Sequence, residues 1–325
     1  MPGTIYSIGE ALIDFIPNQH NCHLKDVMGF KRVMGGAPAN VAVSIAKLGG
    51  YSSFISKLGE DAFGDHIVEQ LVYYQVEREW LIRTNQANTG LAFVSLNENG
   101  ERDFSFYRNP SADMLLSPEE VSGLSFQEDD VLHFGSVDLI DAPVKEAHLA
   151  VIKQAEIDQA LISFDPNVRL PLWDSAEACR SAINQFIPHA HVLKISDEEL
   201  QFITGMDDEQ QALQRLFIGN VQWVVYTRGR KGAVLLTKTG QIVKHSGYQV
   251  KPVDTTGAGD AFVGALLYQL QEKMISLKTL NKLSEEQLQR LLAFSNGYAA
   301  LTTLKNGAVE SLPTHAETLA FMANY

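Results

Sequence analysis

Cysteine is nearly missing: the chain of 325 residues has two, Cys22 and Cys179, far apart and without a partner motif. Neither a disulfide framework nor a structural zinc site is expected, and such a pair suits a reducing cytoplasm. Basic residues are also short. Lys plus Arg number 26 against 39 Asp plus Glu, a net charge of -13, whereas nucleic acid and anionic membrane surfaces select a basic face. Both are therefore excluded as the main partner. No apolar run approaches the roughly 20 residues that span a bilayer. The opening MPGTIYSIGEALIDFIP carries Glu10 and Asp14 inside its apolar stretch and no basic leader, unlike a signal peptide, so a cytoplasmic protein is expected. Low-complexity segments, internal repeats and disordered linkers are absent too. What remains is globular: 45% hydrophobic and 20% charged, enough for one large core or two smaller ones.

Short apolar segments alternate with amphipathic ones along most of the chain. TIYSIGEAL, SSFISKLG, VLHFGSV, ALISFDP, HVLKIS and VQWVVYT read as strands, and NVAVSIAKLG and DHIVEQLVYY as helices. That alternation predicts a mostly parallel sheet covered by helices on both faces, with ligands gathering at the carboxyl ends of the strands. Residues 89–108, TGLAFVSLNENGERDFSFYR, break the pattern: polar and apolar residues alternate on both sides of Asn99-Gly100, the strongest short-range hairpin signal. An antiparallel hairpin in a parallel fold is a lid, a dimer contact or an ordinary edge.

Residues 252–270, PVDTTGAGDAFVGALLYQL, pack two glycines and two aspartates ahead of an apolar run. Phe262, Val263, Leu266, Leu267 and Leu270 fall at helical spacing, placing a helix start near Gly259 or Asp260, and the preceding GYQVKPVD reads as a short strand. A glycine-rich turn at a helix N-terminus offers free N–H groups and a positive dipole end, which is an anion site. The spacing matches neither the dinucleotide fingerprint nor a P-loop, so the cation that accompanies phosphate must come from elsewhere. Asp260 is then either a helix cap or a base placed to take a proton from a hydroxyl attacking a phosphoryl group.

Other stretches carry polar groups that suit a sugar or a nucleotide. Gly35-Gly36 precedes a helix with Val41, Val43, Ile45, Ala46 and Leu48 on its apolar face, and Asn40 there is a cap or a partner for a hydroxyl. Asp14 can accept from vicinal hydroxyls. SFDPNVR brings Arg169 to a strand end, where it braces a phosphoryl group or is merely solvated. LKISDEEL supplies Lys194 and the carboxylates of Asp197, Glu198 and Glu199, which favour a helix start or hold a hydrated Mg²⁺. TRGRKGA gives Thr227, Gly229 and Gly232 after a strand, where a nucleotide could lie on backbone.

Together these segments resemble the ribokinase-like (PfkB) carbohydrate kinases over nearly the whole chain. GGAPANVAVSIAKLGG with KLGEDAFGD is similar to one family signature and DTTGAGDAFVGALL to the other. FYRNPSADMLL, SFDPNVRLPLW, LKISDEELQFITG and VKPVDTTGAGDAF resemble the fructokinases within it. The resemblance implies one domain over residues 1–325, a three-layer α/β sandwich with a mostly parallel doubly wound sheet. A small β lid would come from about 12–34 and 89–110, with a homodimer through that lid as a further implication. It implies Asp260 as catalytic base and Gly257, Ala258 and Gly259 as anion hole. Asp14, Gly35, Gly36, Asn40, Phe106, Arg108 and Arg169 fall on the sugar side; Lys194, Glu199, Thr227, Gly229, Gly232 and Asn296 on the nucleotide side. ATP and Mg²⁺ are the implied cofactors, and Asp254, Thr256, Gly307 and Ser311 match a potassium site of some relatives. One departure stands: the family's Asn-x-x-Glu reads Ser196-Asp-Glu-Glu199 here. The implied reaction is phosphorylation of fructose at a primary hydroxyl. A 2-keto-3-deoxygluconate kinase is the alternative, with Arg108 and Arg169 meeting a carboxylate. A non-catalytic sugar sensor would be expected to lose Asp260 or the anion-hole glycines, and a nicotinamide dehydrogenase would need the missing fingerprint.

Overall fold

A computed structural model of the chain describes residues 2–19, 23–96 and 102–325. The frame is a nine-stranded sheet. From one edge to the other its strands, numbered along the chain, are β13 (Ile242–His245), β12 (Ala233–Thr237), β11 (Trp223–Thr227), β10 (Val192–Ser196), β9 (Leu161–Phe164), β8 (Val131–Phe134), β1 (Ile5–Ile8), β4 (Ser52–Gly59) and β5 (Leu81–Thr84). Pairing is parallel from β11 through β5, and β12 and β13 add antiparallel at one edge.

Period-two side-chain alternation divides the apolar residues of these strands between two cores. Leu132, Phe134, Ile162, Phe164, Leu193, Ile195, Val224 and Tyr226 join the core built with α3 (Pro143–Ile157), α4 (Ala176–Phe186), α5 (Asp197–Thr204) and α6 (Glu209–Arg215). Val131, Leu161, Val192, Trp223 and Val225 join the other, with α1 (Ala37–Leu48), α7 (Ala258–Glu272) and α8 (Glu285–Thr302). Burial on both faces is why the strands read as almost unbroken apolar runs. α2 (Ala62–Tyr73) and α9 (His315–Met322) complete the helical layer on the α1 side. Among the described residues no helix is long and apolar enough to cross a membrane.

The two segments expected to form a lid do make one sheet, in the order β3 (Phe30–Gly35), β2 (Leu12–Pro17), β6 (Gly90–Leu96), β7 (Arg102–Tyr107). Phe15 stacks on Phe93 at 4.7 Å between ring centroids, and Phe30 meets both edge-on. Asn99-Gly100 and Cys22 lie outside the described residues.

One expectation is corrected. Residues 247–254 form no strand. Pro252 has no N–H to give a ladder, and the N–H groups of Val253 and Asp254 donate instead to the carbonyl of Thr303, at the end of α8, at 2.8 and 3.2 Å. The helix that follows begins at Ala258, with Gly257 as its N-cap at φ 73°.

Candidate active site

Two cavities open where the strands end. The smaller, about 250 Å³, is bordered by Glu10, Asp14, Asn40, Phe106, Arg169 and Asp260 among others. Its floor depends on the glycine pair before α1. A Cβ on Gly35 would stand 2.2 Å from Oδ2 of Asp14, and one on Gly36, which has φ 103°, would stand 2.4 Å from the carbonyl oxygen of Glu10. Glu10 in turn accepts from the N–H of Ala37 at 2.9 Å, satisfying one of the free donors of α1.

Asn40 does not cap that helix; Gly36 does, and Asn40 lies inside the first turn. Its Nδ2 donates to Oδ2 of Asp260 at 2.8 Å. Asp260 likewise caps nothing. It sits in the first turn of α7, which has no side-chain cap, so the cap reading falls away. Burial pushes its pKa up, opposed by the Asn40 hydrogen bond and the charges of Arg169 and Lys194. Arg169 is exposed at the cavity rim, where its Nη1 donates to the Val168 carbonyl at 3.0 Å.

Arg108 is placed differently from the expectation. It is buried, with its guanidinium bonded to Asp113 and, at 2.6 Å, to Asp138. It does not border the cavity, although its positive charge acts on Glu10, whose pKa burial raises to about 7.

The larger cavity, about 310 Å³, is bordered by Lys194, Thr227, Gly229, Gly232, Ala258 and Asn296 among others. Gly232 has φ 80°, and a Cβ there would meet the His245 carbonyl oxygen at 2.0 Å. The hydroxyl of Thr227 donates to the Ile195 carbonyl at 3.4 Å, and Asn296 Nδ2 to the Leu292 carbonyl at 2.7 Å. Lys194 brings a cation beside the glycine loop. Its Nζ lies 3.5 Å from where a Gly259 Cβ would be, and it donates to Oδ1 of Asp165 at 3.0 Å. Burial works against this charge, yet Asp165 and Glu199 outweigh it and the Lys194 pKa rises. Burial lifts Asp165 itself to about 6 despite Lys194. Sequence reasoning gave Asp165 no role; its place at the end of β9 was the available signal.

The serine of Ser196-Asp-Glu-Glu199 forms a capping box. Oε2 of Glu199 accepts from the N–H and Oγ of Ser196 at 2.9 and 2.8 Å, and Oε1 from the N–H of Val168 at 2.8 Å. Burial opposes the Glu199 charge, but Lys194 and these bonds hold its pKa below the usual value. Asp197 and Glu198 stand exposed on the cavity wall. Such a donor set fits magnesium, which takes one or two carboxylates and keeps its waters.

Asp254, Thr256 and Gly307 form one bonded group. Oδ1 of Asp254 accepts from the N–H and Oγ1 of Thr256 at 2.9 and 2.6 Å, and Oδ2 from the N–H of Gly307 at 3.0 Å. Ser311 is one step further, donating to the Ala308 carbonyl at 2.8 Å. Ala308 lies against the glycine loop: a Cβ on Gly257 would be 2.9 Å from its methyl carbon. Thr255 and Gly259 border both cavities, so the two share a wall at the start of α7.

The family model described as pfkB family carbohydrate kinase matches residues 3–315. The chain belongs to this family. Fructokinase-2 of Solanum lycopersicum is 43% identical to it over 324 residues, 98% of this chain and 96% of the relative. Among solved structures, fructokinase from Xylella fastidiosa with bound ATP has a TM-score of 0.89 at 34% identity, covering 99% of this chain and 98% of that one. A double mutant of fructokinase from Vibrio cholerae O395, in a fructose, ADP and potassium ion bound form, also has a TM-score of 0.89 at 34% identity, covering 99% of both chains. The α/β sheet with its helical layers is thus the ribokinase-like fold of this family's kinases. Aminoimidazole riboside kinase from Salmonella enterica is similar as well, with a TM-score of 0.85 at 27% identity and 98% and 99% coverage. The same frame therefore serves more than one acceptor.

Proposed function

We propose that the chain is a fructokinase, transferring the γ-phosphoryl group of ATP to the primary hydroxyl of D-fructose to give fructose 6-phosphate. The observation that carries this reading is Asp260, held by Asn40 at the wall between a polar cavity and a larger one, with the start of α7 and Lys194 beside it. Asp14 and Asn40 bind fructose hydroxyls, with Gly35 and Gly36 giving them room and Phe106 and Arg169 closing the cavity. Asp260 takes the proton of the attacking hydroxyl. The N–H groups at Gly257, Ala258 and Gly259, with Lys194, stabilise the negative charge of the phosphoryl group in transit. Thr227, Gly229, Gly232 and Asn296 hold the nucleotide. When bound, magnesium supplies neutralisation of the β- and γ-phosphate charge, and Asp197, Glu198 and Glu199 are the residues that would hold its waters. Asp254, Thr256, Gly307 and Ser311 form a potassium site, tested by exchanging potassium for tetramethylammonium at fixed ionic strength, which should slow turnover.

A keto-acid substrate would have Arg169 alone to meet its carboxylate, because Arg108 is already neutralised by Asp113 and Asp138. The deciding measurement is kcat/KM over fructose, 2-keto-3-deoxygluconate, ribose and fructose 6-phosphate. Fructose should lead each by at least about a hundredfold, the scale on which sites built to pair hydroxyls reject analogues. A higher value for the keto acid overturns the assignment. The small sheet acts as the lid, so fructose should slow hydrogen exchange in β2, β3, β6 and β7. The same sheet is the face assigned to a second copy, which light scattering tests.

A further inference from the structure

The wall of the nucleotide cavity has two kinds of chemistry. Around Lys194, Ala258 and Gly259 it offers a cation and a helix N-terminus, suited to phosphate. The rest of the wall includes the charged Asp197, Glu198 and Arg230 and an apolar and aromatic set, Tyr248, Val250, Pro252, Phe262, Ala299 and Ala300. A nucleotide has two such parts, its phosphates and its base.

Two aromatic residues border the cavity; Phe262 is packed into the core at 3% exposure, which leaves Tyr248 as the half-buried ring on the wall. Its segment has no strand ladder, and other rings hold it instead. His245 and Tyr325 each lie 5.2 Å from it between centroids, Tyr325 edge-on, and Phe321 lies 5.4 Å away. The hydroxyl of Tyr325 also donates to the carbonyl of Gln249 at 3.1 Å, tying down the residue next to Tyr248. α8 makes way at Gly297, where a Cβ would be 2.8 Å from Cγ of Met322 and 3.3 Å from a Tyr248 ring carbon. A ring on the cavity wall is thus set in place by α9 and the residues just after it, which border neither cavity.

We propose that Tyr248 is the ring against which the nucleotide's base lies, and that Phe321 and Tyr325 are positioning residues that hold it there. This rests on the nucleotide reading of the larger cavity. Stacking on a π-face discriminates weakly among bases, so Tyr248 supplies affinity for ATP and GTP alike and leaves base choice to other groups.

The test compares Tyr248→Ala, Tyr248→Leu, Tyr248→Phe, Phe321→Ala and Tyr325→Ala with the parent by steady-state kinetics and by calorimetric titration of ADP. Inorganic tripolyphosphate, which has no base, serves as a competing inhibitor. Tyr248→Ala and Tyr248→Leu should raise KM for ATP and Kd for ADP by about tenfold, the scale of losing one stacked base. The loss should fall on these constants rather than on kcat or on KM for fructose, tripolyphosphate inhibition should keep its strength, and Tyr248→Phe should restore the parent values. Phe321→Ala and Tyr325→Ala should shift the nucleotide constants the same way by less. Unchanged ATP and ADP constants in Tyr248→Leu, or an equal weakening of tripolyphosphate, overturns the stacking role. Losses confined to the Tyr248 variants overturn the positioning role. A parent protein that binds no ADP at all removes the nucleotide reading itself.

Discussion

Asn40 and Asp260 meet at 2.8 Å, amide to carboxylate, joining the first turn of α1 to the first turn of α7. The bond occupies one carboxylate oxygen and leaves the other to accept a proton. Asp260→Asn should therefore lower kcat by roughly two to four orders of magnitude, the usual worth of a general base. ADP affinity should hold. A folded variant with near-normal turnover would remove Asp260 from the chemistry.

The same bond sets a pH dependence. A base works only when ionised, so turnover is lost as pH falls through the Asp260 pKa, which burial has raised. The Asn40 hydrogen bond opposes that rise by favouring the carboxylate. Asn40→Ala takes the opposition away, and the acid limb of the kcat–pH profile should move to higher pH. A limb that stays put or moves down contradicts the argument.

Lys194 and Asp165 form a buried pair at 3.0 Å. Removing one partner of such a pair strands the other charge, at a cost of about 3–5 kcal/mol. Lys194→Met should lower both the melting temperature and the activity. Adding Asp165→Asn should return much of the stability and none of the activity, since the phosphate would still lack its cation. Joint recovery of both would make Lys194 a purely structural residue.

Gly35 has room for a hydrogen and nothing more, because Oδ2 of Asp14 stands 2.2 Å from a Cβ placed there. Gly35→Ala should push that carboxylate aside and raise KM for fructose while KM for ATP stays level. Displacements of about 1 Å in positioning groups can cost on the order of a hundredfold. Kinetics for the two substrates measured separately give the answer, and equal effects on both would point to general unfolding.

His148 is fully buried, its Nδ1 donating to the Val144 carbonyl at 2.8 Å, and burial depresses its pKa from 6.5 to about 4. The unfolded chain takes up a proton that the native imidazole refuses. Stability should thus fall as pH drops from 6.5 towards 4, at about 1.4 kcal/mol per pH unit for one such group. Glu10 and Asp165, raised to about 7 and about 6, act with the opposite sign over part of that range. The contrast with His148→Gln isolates the histidine: melting temperatures should fall less steeply in the variant. Parallel curves would show that His148 titrates normally.

The strands of the large sheet were legible because their apolar residues are buried on both faces, and the start of α7 because Gly257 and the apolar spacing behind it mark a turn into a helix. GYQVKPVD misled for a physical reason. Tyr248, Val250 and Pro252 alternate as in a strand, but alternation reports burial, and here the apolar groups border a cavity. Arg108 could not be placed from sequence: Asp138, which neutralises it, lies 30 residues away. The Lys194–Asp165 pair spans 29 residues and was hidden in the same way. Ser196 and Glu199 are a different case, since a serine three residues before a glutamate is a capping-box signature, and the local chemistry was readable before any metal was invoked.

Thr255 and Gly259 form part of both cavity walls, so the two binding spaces are separated by little more than a single turn of backbone. A molecule joining a hexose to a nucleoside through a short phosphate bridge would fill both at once. It would lose its overall translational and rotational freedom once rather than twice, and its affinity would then exceed what either half achieves alone. The length of bridge that binds tightest would serve as a molecular ruler for the path that the phosphoryl group travels.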